Sequence, residues 1–333
     1  MNDISLPRRP VIAVVIPCYK VTRQILGVIG AIGPEVQHIY VVDDHCPDGS
    51  GDVVAAQCRD ARVTLLRHAV NQGVGGAVMS GYRAALAAGA DLIVKIDGDG
   101  QMDPALLPAI VEPILAGQAD YTKGNRFFNL EQIRQMPPLR LFGNAMLSLL
   151  NKLSSGYWNV FDPTNGYTAI HADVARQLPF AKISPRYFFE TDMLFRLNTL
   201  HAVVIDVPMD AHYGDEASNL KISRIITEFA FKHVRNFAKR LFYNYYLRNM
   251  SLASIEAPLG LGLLLAGGSY GLWHWVHSAR LDVPTPAGTV MLSGLSVLMG
   301  LQLLLAFLAY DIAAVPRRPI HRRQQGRILL LQD

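Results

Sequence analysis

Three carboxylates crowd into the stretch KIDGDGQMDP, Lys95 to Pro104. Asp97 and Asp99 flank a single glycine, so on a short extended segment they lie on the same side. Acids that close repel one another unless a cation sits between them. Paired carboxylates with small neighbours can hold a divalent cation while leaving coordination positions open for phosphate oxygens. A calcium loop does not fit. Its sixth position should be Gly and is Met102, and its twelfth should be Glu and is Pro108. Asp103 precedes Pro104 and a helical pattern, which suits an N-cap better than a ligand.

The elements that must position these acids alternate. Apolar, β-rich runs at Val11–Ile16, His38–Val42, Val63–Leu66 and Leu92–Ile96 read as strands. Helical patterns fall near Gln24–Ala31, Val53–Arg59, Ala77–Ala88 and Pro104–Leu115. Continuous apolar strands separated by helices predict an α/β domain with a mostly parallel, Rossmann-like sheet covered on both faces. In such sheets ligands bind beyond the carboxyl ends of the strands. Each strand here is followed by polar chemistry: PCYK, then DDHCPDGSGD, then NQGVGGA, then KIDGDGQMDP. Asp43 and Asp44 can accept hydrogen bonds from a base or ribose, or can serve the turn and helix cap that PDGSG suggests, and local sequence leaves both open. The glycines of NQGVGGA permit close backbone approach. They form neither a dinucleotide fingerprint nor a P-loop, so dehydrogenase and P-loop chemistry lack their motifs.

Composition points to a membrane. Of 333 residues only 17% are charged, and the mean hydropathy is +0.20. Two uncharged stretches, about 257–276 and 287–310, are each long enough to cross a bilayer core and are joined by a short proline-broken turn. Lys232, Arg235, Lys239, Arg240 and Arg248 precede the first, and Arg317, Arg318, Arg322, Arg323 and Arg327 follow the second. The intervening loop offers only Arg280. This asymmetry predicts a helical hairpin with the N-terminal domain and both termini in the cytoplasm. The expected organisation is a catalytic domain over 1–228, a basic amphipathic juxtamembrane helix over 229–252, the two spans within 253–315 and a basic tail over 316–333. At the N-terminus Arg8 and Arg9 precede an apolar run too short for a signal peptide and stopped by Pro17, so the run reads as a strand. Cys18, Cys46 and Cys58 lack metal-ligand spacing and read as reduced thiols. His171, His201 and His212 show no metal-site spacing either. The net charge of +4 is modest, and no nucleic-acid partner is expected.

Taken in order, VIPCYK, VVDDHCPDGSGD, NQGVGGA, KIDGDGQMDP, GNR and DPTNGYTA resemble the inverting family 2 glycosyltransferases of the GT-A fold. The terminal helix pair makes the chain similar to the polyprenyl-phosphate glycosyltransferases, the dolichyl-phosphate mannose synthase-like group. The resemblance spans roughly 10–225 by motif and the remainder by architecture. It implies a nucleotide sugar lying across the strand ends, near Pro17, Tyr19, Asp43, Asp44, Asn71, Gly75 and Gln101. Asp97 and Asp99 would hold Mg²⁺ or Mn²⁺ on the diphosphate. Arg126 and Asp162 match the G-x-R arginine and the acid before the NGY turn. Arg126, Arg140 and Lys221 are candidates for the lipid phosphate, arginine because its fork suits phosphate. Glu190 and Asp192, in FFETDMLFRL, fall where acceptor-side acids occur, or they begin a helix at the favourable end of its dipole.

The chain departs from the pattern in three places. Val21 replaces a glutamate, HC (His45 and Cys46) replaces GS, and Tyr213 stands where an arginine is common. Lys221 or Arg224 could restore that last charge. The expected activity is sugar transfer from a nucleotide diphosphate to an undecaprenyl or dolichyl phosphate at the membrane. A glycan or glycolipid hydroxyl acceptor is the alternative, and a catalytically silent sugar-nucleotide binder the alternative of another class. The sugar, the nucleotide and homo-oligomerisation are left open.

Overall fold

The computed structural model describes residues 9–128, 138–209 and 222–322. The chain divides into two compact units, Met1–Phe237 with Pro316–Asp333, and Ala238–Val315.

The first unit is built on seven strands: β1 (Ile12–Cys18), β2 (His38–Asp43), β3 (Val63–Arg67), β4 (Leu92–Lys95), β5 (Tyr121–Asn125), β6 (Thr168–His171) and β7 (Val204–Pro208). Their order is β3-β2-β1-β4-β6-β5-β7. Only β6 runs antiparallel to its neighbours. The β-branched runs of β1, β2 and β4 are buried along almost their whole length, as a sheet covered on both faces requires. Helices α1 (Ile25–Gly30), α2 (Ser50–Gln57), α3 (Val74–Ala87) and α4 (Leu107–Leu115) connect the first five strands. Next come α5 (Pro138–Ser155), α6 (Ala172–Ala175), α7 (Phe189–Leu200) and α8 (Ile222–Phe242). Asp103 caps the turn that leads into α4, accepting a bond from the Ala105 N–H at 2.9 Å.

Strand β1 does not stop before Pro17 but continues to Cys18. Its backbone groups alternate between neighbours: Val15 O accepts from Ile96 N on one side, and Cys18 O from Asp44 N on the other. Pro17 lacks its N–H on the β4 side, where pairing has already ended at Val15↔Lys95. The missing donor therefore leaves no gap in the ladder.

Because β6 is antiparallel, its N-terminal end lies on the same edge as the carboxyl ends of the other strands. Register then sets a row across the sheet. Lys95 pairs with Thr168, Thr168 with Lys123, and Lys123 with Asp206. Directly paired residues share a face, so three charged side chains project from one side of the sheet near its carboxyl edge.

Beyond the second unit, the chain returns to the first and docks at the opposite end of β5. The buried Asp120 carboxylate accepts four hydrogen bonds: Oδ2 from Val203 N (2.8 Å) and Ile320 N (2.9 Å), Oδ1 from His321 N (3.1 Å) and His321 Nδ1 (2.7 Å). The His321 ring stacks on His171 with centroids 4.3 Å apart, and Arg322 Nη2 donates to Ala116 O.

In the second unit, α9 (Ala253–Arg280) and α10 (Ala287–Ala313) are long and apolar enough to cross a membrane. They approach closely at glycines: a Cβ on Gly260 would stand 3.0 Å from Gly300 O, and one on Gly300 would stand 2.7 Å from Gly260 O. Ser293 Oγ donates to Gly267 O across the pair. Large apolar side chains such as Leu265, Trp273 and Leu298 point outward. The second span runs past the uncharged stretch and includes Asp311. That carboxylate is buried against Arg240, with Nη1–Oδ1 at 2.6 Å and Nη2–Oδ2 at 3.0 Å, and also accepts from the Tyr245 hydroxyl. Arg240 is therefore committed to an internal ion pair, although the sequence counts it among the basic residues before the first span.

The docked tail should loosen in acid. Burial acts to raise the Asp120 carboxyl, but His321 and the backbone donors outweigh it and hold it below its ordinary range. Burial and the neighbouring His321 ring hold His171 down. Both are depressed groups, so the unfolded chain takes up protons that the docked state refuses. Stability then declines as pH falls below about 6.5 through His171, and further in stronger acid through Asp120. Amide-exchange protection at Ile320 and His321 should drop between pH 7.5 and 5.5 while β1 stays protected. Asp120→Ala should weaken docking by about 3 kcal/mol at either pH.

Candidate active site

The carboxyl edge gathers residues from β1, β2, β4, β5, the chain before β6, and α7. At its centre Lys95, 1% exposed, lies 2.8 Å from Asp97 Oδ1 and 3.5 Å from Glu190 Oε1. Burial acts to lower the Lys95 ammonium, but Asp97 and Glu190 outweigh it and raise it. Lys123, two strands away in the same row, has less compensation. It donates to Asn165 O, and burial pulls it down to about 8. Burial also raises the Glu190 carboxyl, opposed by Lys95 and Lys123. Glu190, at the first turn of α7, thus faces the acid pair through a shared lysine.

Asp97 and Asp99 lie in the turn after β4. Asp97, 29% exposed, receives no side-chain cation other than Lys95 among the described ion pairs. Asp99 Oδ1 accepts from the Gln101 backbone N–H at 3.0 Å, which closes the turn. Gly166 leaves a cradle beside them: an added Cβ would stand 2.2 Å from Asp97 Oδ2 and 2.4 Å from Lys95 Nζ. Among the described residues no cluster of three or more His, Cys, Asp or Glu could hold a metal alone. Two hard carboxylates beside an open cradle do fit a divalent cation whose remaining ligands come from phosphate.

The second feature is Arg126 at the end of β5. Its Nε and Nη2 grip Asp162 Oδ2 and Oδ1 at 2.8 and 3.0 Å, a bidentate fork on a carboxylate that is 1% exposed. The Arg126 side chain as a whole is 27% exposed. A cation oriented this rigidly, on the same edge as the acid pair, suits a second anionic group.

Other predicted residues divide into those that stay open at the edge and those engaged inside the fold. Tyr19 presents a ring that is 43% exposed after β1, next to Pro17 and to Lys20, which adopts a left-handed φ of 60°. Asp43 Oδ1 accepts from Cys46 N at 2.9 Å, and Arg67 stands 3.6 Å from its other oxygen. Asp44 is spent on the fold. Its oxygens accept from Gln72 N, Gly73 N and His68 Nδ1 at 2.7–2.8 Å, and Asn71 Nδ2 bonds its carbonyl. The close approach allowed by the glycine-rich turn is also internal. A Cβ on Gly75 would stand 2.4 Å from Ser184 O, so the start of α3 packs on the segment leading into α7. Asp192, two residues from Glu190, turns the other way and is bound by Ser184 N, Arg196 Nε and Asn236 Nδ2. Arg140 lies in α5, but its side chain is outside the described residues, as are Lys221, Tyr213 and the side chain of Arg224. Lys95, Lys123 and Gly166 are additions that motif reading passes over. The signal for Lys95 is a single cation ending an apolar strand, LIVK, and for Lys123 a lone cation inside the fully buried strand YTKGN.

Comparison with known proteins agrees with this layout. Residues 13–178 match the Glycosyl transferase family 2 profile. An undecaprenyl-phosphate mannosyltransferase of Micrococcus luteus is 31% identical over 199 residues, covering 59% of this chain and 81% of that one. A UDP-N-acetylglucosamine–dolichyl-phosphate N-acetylglucosaminyltransferase of Methanococcus voltae is 27% identical over 218 residues, covering 61% and 86%. Among solved structures, glucosyl-3-phosphoglycerate synthase of Mycobacterium tuberculosis, in complex with Mn²⁺, UDP and phosphoglyceric acid, superposes with a TM-score of 0.51. Identity there is 19%, over 70% of this chain and 78% of that one. The chain belongs to the family 2 glycosyltransferases. Its catalytic unit has the GT-A fold, followed by a two-helix transmembrane hairpin.

The cradle at Gly166 provides a test of the site. Gly166→Ala should force Lys95 and Asp97 apart and lower glycosyl transfer by about tenfold or more. The circular dichroism spectrum should be unchanged, because the added methyl meets side chains and not the sheet backbone.

Proposed function

We propose that the protein transfers a sugar, with inversion, from a nucleotide diphosphate sugar to the phosphate of a polyprenyl phosphate at the cytoplasmic face of a membrane. The observation that carries this reading is the pairing, on one sheet edge, of an acid pair suited to a metal-bound diphosphate with a buttressed, part-exposed Arg126 suited to a second phosphate. The curated relatives named above act on undecaprenyl and dolichyl phosphates, and the apolar hairpin supplies the membrane attachment that such an acceptor demands. The basic flanks of the hairpin support the cytoplasmic orientation of the catalytic unit and both termini.

Asp97 and Asp99 would hold Mg²⁺ or Mn²⁺. When bound, the cation neutralises charge on the departing nucleotide diphosphate. Lys95 fixes Asp97 and brings Glu190 to the same centre. Tyr19 offers its face to the base, and Asp43 lies at the nucleoside end of the edge. Arg126, aligned by Asp162, orients the acceptor phosphate. That phosphate is an anion at neutral pH and attacks without a strong general base, so positioning and charge neutralisation dominate. Glu190 favours a second reading, in which a glycan or glycolipid hydroxyl is the acceptor. Its carboxyl is raised by burial and stands within the acid pair's surroundings, as a base for a hydroxyl would.

Membranes containing the full chain, given labelled UDP- and GDP-sugars, Mn²⁺ and undecaprenyl phosphate, distinguish these. Label should enter an acid-labile lipid, which would also name the donor, and Asp99→Asn should reduce it by about 100-fold or more. Donor hydrolysis without labelled lipid would overturn the phosphate acceptor in favour of a hydroxyl. Nucleotide binding without turnover, in a folded protein, would show a silent binder.

A further inference from the structure

The Arg126–Asp162 pair joins the first residue beyond a paired strand to a stretch that lies outside any helix or strand. Arg126 follows β5, and Asp162 lies in the irregular stretch before β6. The last residue of β5, already paired with Pro208 of β7, and the irregular stretch are both bonded to one carboxylate oxygen. Asp206 Oδ2, in β7, accepts from Asn125 Nδ2 at 2.7 Å and from Phe161 N at 2.9 Å. Asn125 and Phe161 immediately precede Arg126 and Asp162. The Asn125 amide carries the constraint onward, because its oxygen accepts from Phe127 N at 2.8 Å and closes the turn around Arg126. The Phe127 and Phe161 rings meet edge to face at 5.1 Å, a second and apolar link between the same segments.

Asp206 is costly to keep in this place. Its Oδ1 is buried and accepts no hydrogen bond among the described residues. Burial pushes the carboxyl up to about 6, opposed by the bonds from Phe161 and Asn125 and by Lys123, its partner in register. A buried carboxylate with an idle oxygen would be replaced without loss by an apolar side chain if β7 needed only packing. What the charged form supplies is two charge-assisted bonds from one oxygen, and both go to the segments that present the fork.

We propose that Asp206 is a positioning residue for the acceptor side of the reaction. By bridging the Asn125 side chain at the end of β5 to the Phe161 backbone, it sets the distance and plane of the Arg126–Asp162 fork and so tunes affinity for the acceptor phosphate. The donor half of the site, at Asp97 and Asp99, is supported from β4 and does not use it. This rests on the reading that Arg126 receives a phosphate-bearing acceptor.

The test compares Asp206→Asn with Asp206→Leu in the full-length protein. Asparagine can place its oxygen where Oδ2 stands and keep both bonds, whereas leucine removes both at similar volume. Three quantities are read: KM for undecaprenyl phosphate, KM for the nucleotide sugar, and donor hydrolysis without acceptor. Asp206→Leu should raise the acceptor KM by about tenfold or more. Donor KM and hydrolysis should stay within about twofold, and Asp206→Asn should keep an acceptor KM near that of the parent. Combined with Arg126→Lys, Asp206→Leu should add little, because both act on one group.

An unchanged acceptor KM in Asp206→Leu would overturn the inference. So would an equal change in donor KM and hydrolysis, which marks a general structural role, or full additivity with Arg126→Lys. Should Asp206→Leu fail to fold, Asn125→Ser, which cuts only the arm to the Arg126 turn, must show the same rise in acceptor KM or the inference fails. Labelled lipid with an unmoved acceptor KM overturns this inference alone. A parent protein that hydrolyses donor but labels no lipid overturns the phosphate acceptor as well.

Discussion

An ammonium group sealed inside a protein must be met by anions, and Lys95 is met by two. The surrounding architecture follows from that requirement. Asp97 comes from the turn after β4, two residues on, so its contact is local. Glu190 comes from α7, which must be brought against the sheet face from which Lys95 projects. The start of α3 is pressed onto the segment before α7 with glycines in place of side chains, and Asp192 fastens the same segment through Ser184 N. The helix that delivers Glu190 is thus secured on several sides.

The row Lys95, Thr168, Lys123, Asp206 extends the same logic across four strands. One antiparallel strand in an otherwise parallel sheet makes this possible, because it brings the N-terminal end of β6, with Asp162, Asn165 and Gly166 before it, to the edge where the parallel strands end. A fully parallel sheet would place a carboxyl end there and send the preceding loop to the far side. The charges alternate in strength of support. Lys95 is doubly paired and stays high, Lys123 is thinly paired and falls, and Asp206 is buried and rises. The edge therefore carries both signs in fixed places and low-dielectric surroundings, where each interaction counts for more than in water.

Much of this was legible in the chain itself. Strands β1 to β4 and the helices after them sit where continuous apolar runs and helical spacing put them, and Asp103 caps as its place before Pro104 suggests. The motif residues Tyr19, Asp97, Asp99 and Arg126 are part-exposed at the carboxyl edge, where local spacing puts them. What sequence spacing does not reveal is the identity of distant partners. Asp44 and Gly75 have internal partners, at 68–73 and 184–189, that local sequence does not announce. Asp192 resembles Glu190 from two residues away, yet their side chains diverge. Asp206 belongs to no motif, and its partners lie 45 and 81 residues earlier in the chain. Those contacts arise from strand order and register, which single-sequence periodicity does not encode.

The clasp between Arg240 and Asp311 bears on how the polypeptide is made. Arg240 emerges from the ribosome 71 residues ahead of its partner. The first apolar helix is thus synthesised before the carboxylate of this pair exists. The second helix arrives with an acid near its end that an isolated span would hold at a penalty. The ion pair therefore closes only when the end of the second helix has come back beside the segment that precedes the first.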